Sequence, residues 1–185
     1  MKFLKILVII FISLTTSIKA DLKENLKKQL EGGEKIIFIR HAYAPGNGDP
    51  VNFNLNDCST QRNLSKRGRV QAVNIGKFFR KYEIDIDKVF SSEWCRCKDT
   101  ASLAFKNFKT KKFLNSFYSL KYAKNRDNQI LQLKEYIKKF KSKKNLIFVT
   151  HYVVISDILN YAPSSGEIII SNKNFEIINT IEIDY

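Results

Sequence analysis

Several short apolar runs, each followed by polar or turn-forming residues, divide the chain after residue 34. Runs rich in Ile, Val and Phe and bounded by such residues are typical of buried strands. The pattern predicts strands over 35–40, 88–91 and 145–150, and a closing hairpin formed by 167–171 and 175–183. The hairpin would turn on three polar residues.

The segments between these runs carry apolar residues at helical spacing, and Ser65 is a suitable N-cap for one of them. Because strands alternate with helices, we expect an α/β fold, a three-layer α/β/α sandwich whose mainly parallel sheet has helices on both faces. The stretches 44–61 and 109–124 show no clear period. The predicted helices cover 21–33, 66–82, about 95–108, 128–140 and 153–161.

The first twenty residues have the layout of a secretory signal peptide. They begin with lysines, continue through the apolar run 6–12, and end in a small and polar patch. We therefore expect a signal over 1–20, a single domain over 21–185, and an exported, periplasmic protein. Because Ile18 stands where a small residue is preferred, an uncleaved segment that tethers the protein to the membrane is the alternative.

The chain is strongly basic, with 32 Lys and Arg against 18 Asp and Glu. Thirteen of the cations lie between Lys106 and Lys144, together with only two acids. This basic patch could steer an anionic substrate, bind nucleic acid or anionic lipid, or simply be solvated. No nucleic-acid-binding motif accompanies it, so a specific nucleic-acid partner is not expected.

Three cysteines offer one disulfide and one remaining thiol. In an exported protein Cys58 could pair with either Cys95 or Cys97. The C-x-C spacing differs from that of zinc sites and no histidine cluster completes a ligand set, so no metal is expected.

Cationic and nucleophilic side chains follow three predicted strands. Arg40 and His41 end the first, Ser92 and Arg96 follow the second, and His151 ends the third. Because the carboxyl ends of parallel strands meet at one edge of a sheet, we expect these groups to converge. Guanidiniums hold phosphoryl oxygens, one imidazole can attack phosphorus, and the other can stabilise charge. The start of the helix after Ser92 would add backbone donors.

These residues also match known motifs in order along the chain. The sequence resembles the histidine phosphatase superfamily, also called phosphoglycerate mutase-like, and within it the small exported bacterial phosphatases of branch 1. The matching segments are the Arg40-His41 pair, RNLSKRGRVQA (62–72), SSEWCRCKDTA (91–101), LIFVTH (146–151) and SGEIII (165–170). The resemblance implies a phosphoglycerate mutase-like fold without cofactors. It also implies that His41 forms a phosphohistidine while Arg40, Arg96 and His151 hold the phosphate.

The chain departs from the family where a proton donor is expected. Branch 1 enzymes usually carry a carboxylate between the second Arg and the second His, roughly thirty residues past that Arg. In this chain that region is FYSLKYAKNRDNQ (117–129), and its only acid is Asp127. Asp127 is therefore the candidate general acid, and an early-helix charge favoured by the helix dipole is the alternative. After the second His the family commonly has Gly, where this chain has Tyr152. Phytase-like relatives carry an acidic residue at that position, so the resemblance disfavours the phytase-like branch.

The interpretation of the whole chain is an exported phosphomonoesterase of the histidine acid phosphatase type that acts on a small phosphorylated substrate. Arg62, Asn47, Asp49 and Ser92 are candidate substrate contacts, and a disulfide from Cys58 could fix the turn that carries Arg96. One alternative is a catalytically poor relative that binds a phosphorylated ligand. The other is a surface-binding protein that uses the basic patch. The oligomeric state is not predicted.

Overall fold

A computed structural model describes residues 28–30 and 32–185 of the chain. The predicted signal peptide and the domain boundary at residue 21 lie outside these residues. Of the helix predicted over 21–33, residues 28–30 are helical. Within the described residues no helix is both long and apolar enough to cross a membrane.

A six-stranded sheet forms the centre of the molecule, in the order β3-β2-β4-β1-β5-β6. The first four strands in that order are parallel, while β5 and β6 add an antiparallel edge. The predicted α/β class, mainly parallel sheet and closing hairpin are confirmed. The strands are β1 Ile36–Arg40, β2 Ile86–Ser91, β3 Lys109–Thr110, β4 Asn145–Thr150, β5 Ile168–Ser171 and β6 Ile177–Ile181.

Helices cover both faces of the sheet. Ser65 caps the first helix as predicted, because its Oγ accepts a hydrogen bond from the backbone of Gly68. Two short elements, β3 and α3, occupy the stretch 109–124 that showed no period. The helices are α1 Lys66–Lys81, α2 Cys95–Phe105, α3 Leu120–Ala123, α4 Arg126–Lys138 and α5 Tyr152–Leu159, with 3₁₀ turns at Cys58–Thr60 and Lys112–Leu114.

Alternate residues of β1 point into two separate cores. Ile36 and Phe38 pack in the cluster under α4 and α5, whereas Ile37 and Ile39 pack in the cluster under α1 and α2. All four side chains are completely buried. A continuous apolar run is what a strand covered on both faces requires.

The strand register brings three chain segments together at the carboxyl edge of the sheet. Arg40 lies opposite Thr150, and Ser91 lies opposite Val149. The backbone N–H of His41 donates to the Thr150 carbonyl over 2.9 Å. The residues that follow β1, β2 and β4 are therefore neighbours, although they are far apart in sequence.

Candidate active site

A cavity of about 520 Å³ opens at this carboxyl edge. Its wall combines the groups predicted from the strand ends with the loop that follows β1 and with aromatic side chains. The wall includes Arg40, His41, Asn47, Asp49, Phe53, Arg62, Trp94, Arg96, Tyr118, Lys121, Tyr122, His151 and Tyr152.

His41 is buried, and its hydrogen bond fixes which nitrogen can react. Nδ1 lies 2.9 Å from the carbonyl oxygen of Ala42. A carbonyl only accepts, so Nδ1 carries the hydrogen and Nε2 keeps its lone pair. Burial, followed by the positive charge of Arg96, lowers the pKa of His41 well below its ordinary value. The ring is therefore neutral at neutral pH and presents a free nitrogen nucleophile.

Both ring nitrogens of His151 have polar partners. Its Nδ1 faces Nη2 of Arg96 at 3.4 Å, and a guanidinium can only donate. Nε2 therefore carries the hydrogen and donates to Ser92 Oγ at 2.8 Å, and that hydroxyl contacts Asn115 Oδ1 at 3.2 Å. The ring centre lies 5.6 Å from that of His41. Ser92, predicted as a substrate contact, is fully buried, and its hydroxyl contacts His151.

Arg40 and Arg96 each keep an unused donor. Nη1 of Arg40 donates to the carbonyl of Pro163, and Nη1 and Nη2 of Arg96 bind Asp49. Nε of both arginines is buried and has no hydrogen-bond partner. An unpaired buried donor is costly, so each of these N–H groups is a candidate to bind an anion.

Arg62 reaches the cavity from the loop and organises it. Its Nε donates to the carbonyl of Gly48 at 2.7 Å, and its Nη1 donates to the carbonyl of Ala44. Burial first, and then the charge of Arg96, lower the pKa of Arg62 to about 10. The side chain therefore stays protonated at neutral pH. Its position supports the predicted substrate contact and adds a structural role.

Asp49 is the main participant whose role the sequence did not reveal. Its carboxylate accepts hydrogen bonds from Arg96, from Trp94 Nε1 at 3.0 Å and from the backbone of Arg62 at 3.1 Å. Burial raises its pKa, but the hydrogen bond and charge of Arg96 outweigh burial and hold the pKa below its ordinary value. Asp49 is therefore ionised and bound to Arg96.

The structure does not bring Asp127 to the cavity. Asp127 lies in the first turn of α4, its side chain is 93% exposed, and it pairs with the neighbouring Arg126. This arrangement fits the alternative of an early-helix charge and gives no support to a general acid. Asn47 does lie in the cavity wall, on the exposed side of the loop.

A disulfide joins the loop to the helix that carries Arg96. Cys58 pairs with Cys95, and Cys97 remains a buried free thiol. Burial raises the pKa of Cys97 to about 12, so this thiol stays neutral beside His151. The backbone N–H of Cys95 donates to Gln61, so that N–H at the start of α2 binds the loop rather than a ligand.

Comparison with known proteins agrees with this geometry. The model of the histidine phosphatase superfamily (branch 1) matches residues 36–115. This segment holds Arg40, His41 and Arg96, and the described fold continues the same architecture to the end of the chain. Over this segment, which is less than half of the chain, the sequence matches branch 1 of the histidine phosphatase superfamily.

Solved structures of this architecture match about four-fifths of this chain. Phosphoglycerate mutase from Thermus thermophilus matches with a TM-score of 0.57 and 14% identity, over 81% of this chain and 99% of its own. Rv3214 from Mycobacterium tuberculosis matches with a TM-score of 0.57 and 16% identity, over 82% and 97%. The protein histidine phosphatase SixA, complexed with tungstate, matches with a TM-score of 0.52 and 10% identity, over 81% and 96%. These likenesses show the fold. No curated protein matches the sequence.

Proposed function

We propose that this protein is a phosphatase that removes phosphoryl groups through a phosphohistidine on His41. The observation that carries the proposal is the juxtaposition, in one cavity, of a neutral imidazole with a free Nε2 and two buried guanidiniums with unused Nε–H donors. Guanidiniums bind phosphoryl oxygens by strong charge-assisted hydrogen bonds. The protein histidine phosphatase SixA, which shares the fold, is complexed with tungstate, a tetrahedral oxyanion like phosphate, and this supports an oxyanion as ligand.

The reaction proceeds in two displacements. The phosphoryl oxygens accept hydrogen bonds from Arg40 and Arg96, and His41 Nε2 attacks phosphorus. The bond from phosphorus to the leaving group breaks, and that group departs with its electron pair. Water then attacks phosphorus, the P–N bond breaks, and His41 recovers its lone pair as phosphate leaves. The guanidiniums stabilise the charge on the transferring group in both steps.

The cavity favours substrates whose leaving group departs without a proton from the protein. Asp49 is the only acidic side chain among the described residues that line the cavity, and Arg96 keeps it ionised. An ionised carboxylate cannot serve as a general acid. Aryl phosphates and phosphoramidates, in which the leaving group is already stable or already protonated, fit this site. The protein histidine phosphatase SixA shares the fold and supports a phosphorylated substrate of this kind.

Export to the periplasm is part of the same proposal. The Cys58–Cys95 disulfide supports it, because such bonds persist in oxidising compartments. Fractionation of cells that produce the full chain tests it: the protein should appear in the periplasmic fraction, and recovery from the cytosol would contradict export.

Hydrolysis of a chromogenic aryl phosphate tests the activity. Wild type should release phosphate, and His41→Ala should lose at least about a thousandfold in kcat, as for removal of a catalytic nucleophile. Asp127→Asn is the matched control and should keep wild-type activity, because Asp127 lies outside the cavity.

A phosphate-binding relative with little turnover is the second candidate, and the absence of a protonated acid among the described residues of the cavity wall favours it. Calorimetric binding of inorganic phosphate without turnover by wild type would select this candidate. Equal activity in wild type and His41→Ala would contradict a phosphohistidine on His41.

A further inference from the structure

The carboxylate of Asp49 occupies one edge of the Arg96 guanidinium. Oδ1 lies 2.7 Å from Nη1 and Oδ2 lies 3.2 Å from Nη2, so the contact is bidentate. The Arg96 side chain is only 3% exposed, and that of Asp49 is 16% exposed. The only Arg96 donor without a partner is therefore Nε.

Two explanations account for an anion in this position. Asp49 could stand in for the phosphoryl group and be displaced when substrate binds, or it could hold Arg96 while substrate binds beside it. These explanations predict opposite effects of removing the carboxylate. Removing a group that competes with the phosphoryl group should raise the affinity for it, whereas removing a group that supports Arg96 should lower that affinity.

The contacts behind Asp49 favour the support. Its oxygens also accept from Trp94 Nε1 and from the backbone of Arg62, and neither donor belongs to the guanidinium. The loop is itself tied down by the Cys58–Cys95 disulfide and by the hydrogen bond from the Cys95 backbone to Gln61. Displacement would therefore leave two further donors unpaired and would strain a cross-linked loop.

We propose that Asp49 is a positioning residue for phosphoryl transfer, which grips the Nη1–Nη2 edge of Arg96 so that Nε–H meets the transferring group. The inference rests on the proposed phosphatase activity. It assigns to the loop after β1 a part in setting the geometry of the transition state. Catalytic groups must be held closely to their productive positions, and a misplacement of about 1 Å can cost about a hundredfold in rate.

The test compares Asp49→Asn with Asp57→Asn. Both change an Asp to Asn in the same loop, but Asp57 is exposed and caps the 3₁₀ turn without contacting Arg96. We expect kcat for an aryl phosphate to fall by about ten- to a hundredfold in Asp49→Asn, with a smaller change in KM. Asp57→Asn should match wild type.

Binding of two inorganic oxyanions separates positioning from general damage. Vanadate adopts the five-coordinate geometry of the transition state, whereas phosphate resembles the ground state. In Asp49→Asn the affinity for vanadate should fall more than the affinity for phosphate, and thermal unfolding should show that the variant is folded. Tighter phosphate binding with kcat retained would show that Asp49 is displaced, and unchanged kinetics would show that it has no role. Either result overturns the proposal.

A second variant guards against misfolding of the first. Trp94→Phe removes the indole donor to Asp49 and keeps an aromatic ring, so it should reduce vanadate affinity in the same direction by a smaller factor. If Trp94→Phe and wild type have equal kcat and equal affinity for vanadate, the proposal is contradicted. Because oxyanion binding needs no turnover, these measurements remain decisive even if wild type fails to hydrolyse the aryl phosphate.

Discussion

At the scale of single residues, burial decides the chemistry of both histidines. Desolvation, and then the charge of Arg96, lower the pKa of His41 and of His151 well below 6.5. The neutral form is the one that can attack phosphorus. Arg96, which we propose binds phosphate, thus also favours the unprotonated form of the proposed nucleophile His41.

The same pKa shifts predict how stability depends on pH. Below pH 6.5 the unfolded chain binds protons on its two histidines and the folded chain does not, so the free energy of unfolding should fall as pH falls. The stabilisation is fully present above 6.5, and each histidine contributes a slope of up to about 1.4 kcal/mol per pH unit below it.

Urea unfolding between about pH 7 and 5 measures this slope. His151→Gln should roughly halve it, because only these two histidines occur in the chain. A wild-type free energy of unfolding that stays constant over this range would contradict the lowered pKa values.

Sequence reasoning predicts where the residues that follow strands meet, but it does not predict which groups the loop residues contact. Arg40, His41 and His151 follow apolar runs whose parallel pairing fixes where they meet. The partners of Asp49 and Asn115 depend on the path of irregular chain, which no hydrophobic period encodes. Asp127 was chosen by its place in a family pattern, and the path of the chain before α4 leaves it in solvent.

At the scale of elements, the loop after β1 acts as a cross-linked wall of the site. Cys58, in the loop, and Cys95, in the helix, are separated by 37 positions in the sequence. The sequence leaves the partner of Cys58 open because Cys95 and Cys97 lie only two residues apart in one helix. The two-residue β3 and four-residue α3 were not predictable, because elements this short show no period.

Removing the disulfide should destabilise the protein. The chain-entropy relation gives about 4 kcal/mol for a loop of this length. The Cys58→Ser/Cys95→Ser double variant should show this loss in denaturant unfolding, and wild type should lose a similar amount when a reductant is added. The double variant itself should not respond to reductant. Equal stability of the variant and oxidised wild type would contradict this account of the loop.

At the scale of the whole molecule, the basic patch contributes one cation to the described cavity wall. Of the thirteen cations between Lys106 and Lys144, Lys121 is the one that lies in the described cavity wall. Lys141 precedes β4 and therefore lies towards the amino ends of the parallel strands, at the opposite edge of the sheet. The patch as a whole contributes net charge, and Lys121 is its one cation in the described cavity wall.

Replacing each of these two lysines by Gln in turn separates the effect of charge at the cavity from the effect of overall net charge. Lys121→Gln should raise KM for an aryl phosphate by about two- to fivefold with kcat unchanged, the size expected of an exposed charge pair. Salt should reduce this difference, because it screens exposed charges. Lys141→Gln is the matched control and should leave KM unchanged. Equal effects of the two variants would show that the whole patch, rather than Lys121, attracts the substrate.

Trapping the covalent intermediate tests the central claim most directly. Wild type is mixed with a phosphorus-labelled aryl phosphate and quenched in alkali, which preserves phosphohistidine, and its peptides are mapped by mass spectrometry. The account predicts phosphate on His41 in wild type and none in His41→Ala. Turnover with no labelled peptide, or with phosphate on His151 or another residue, would contradict it.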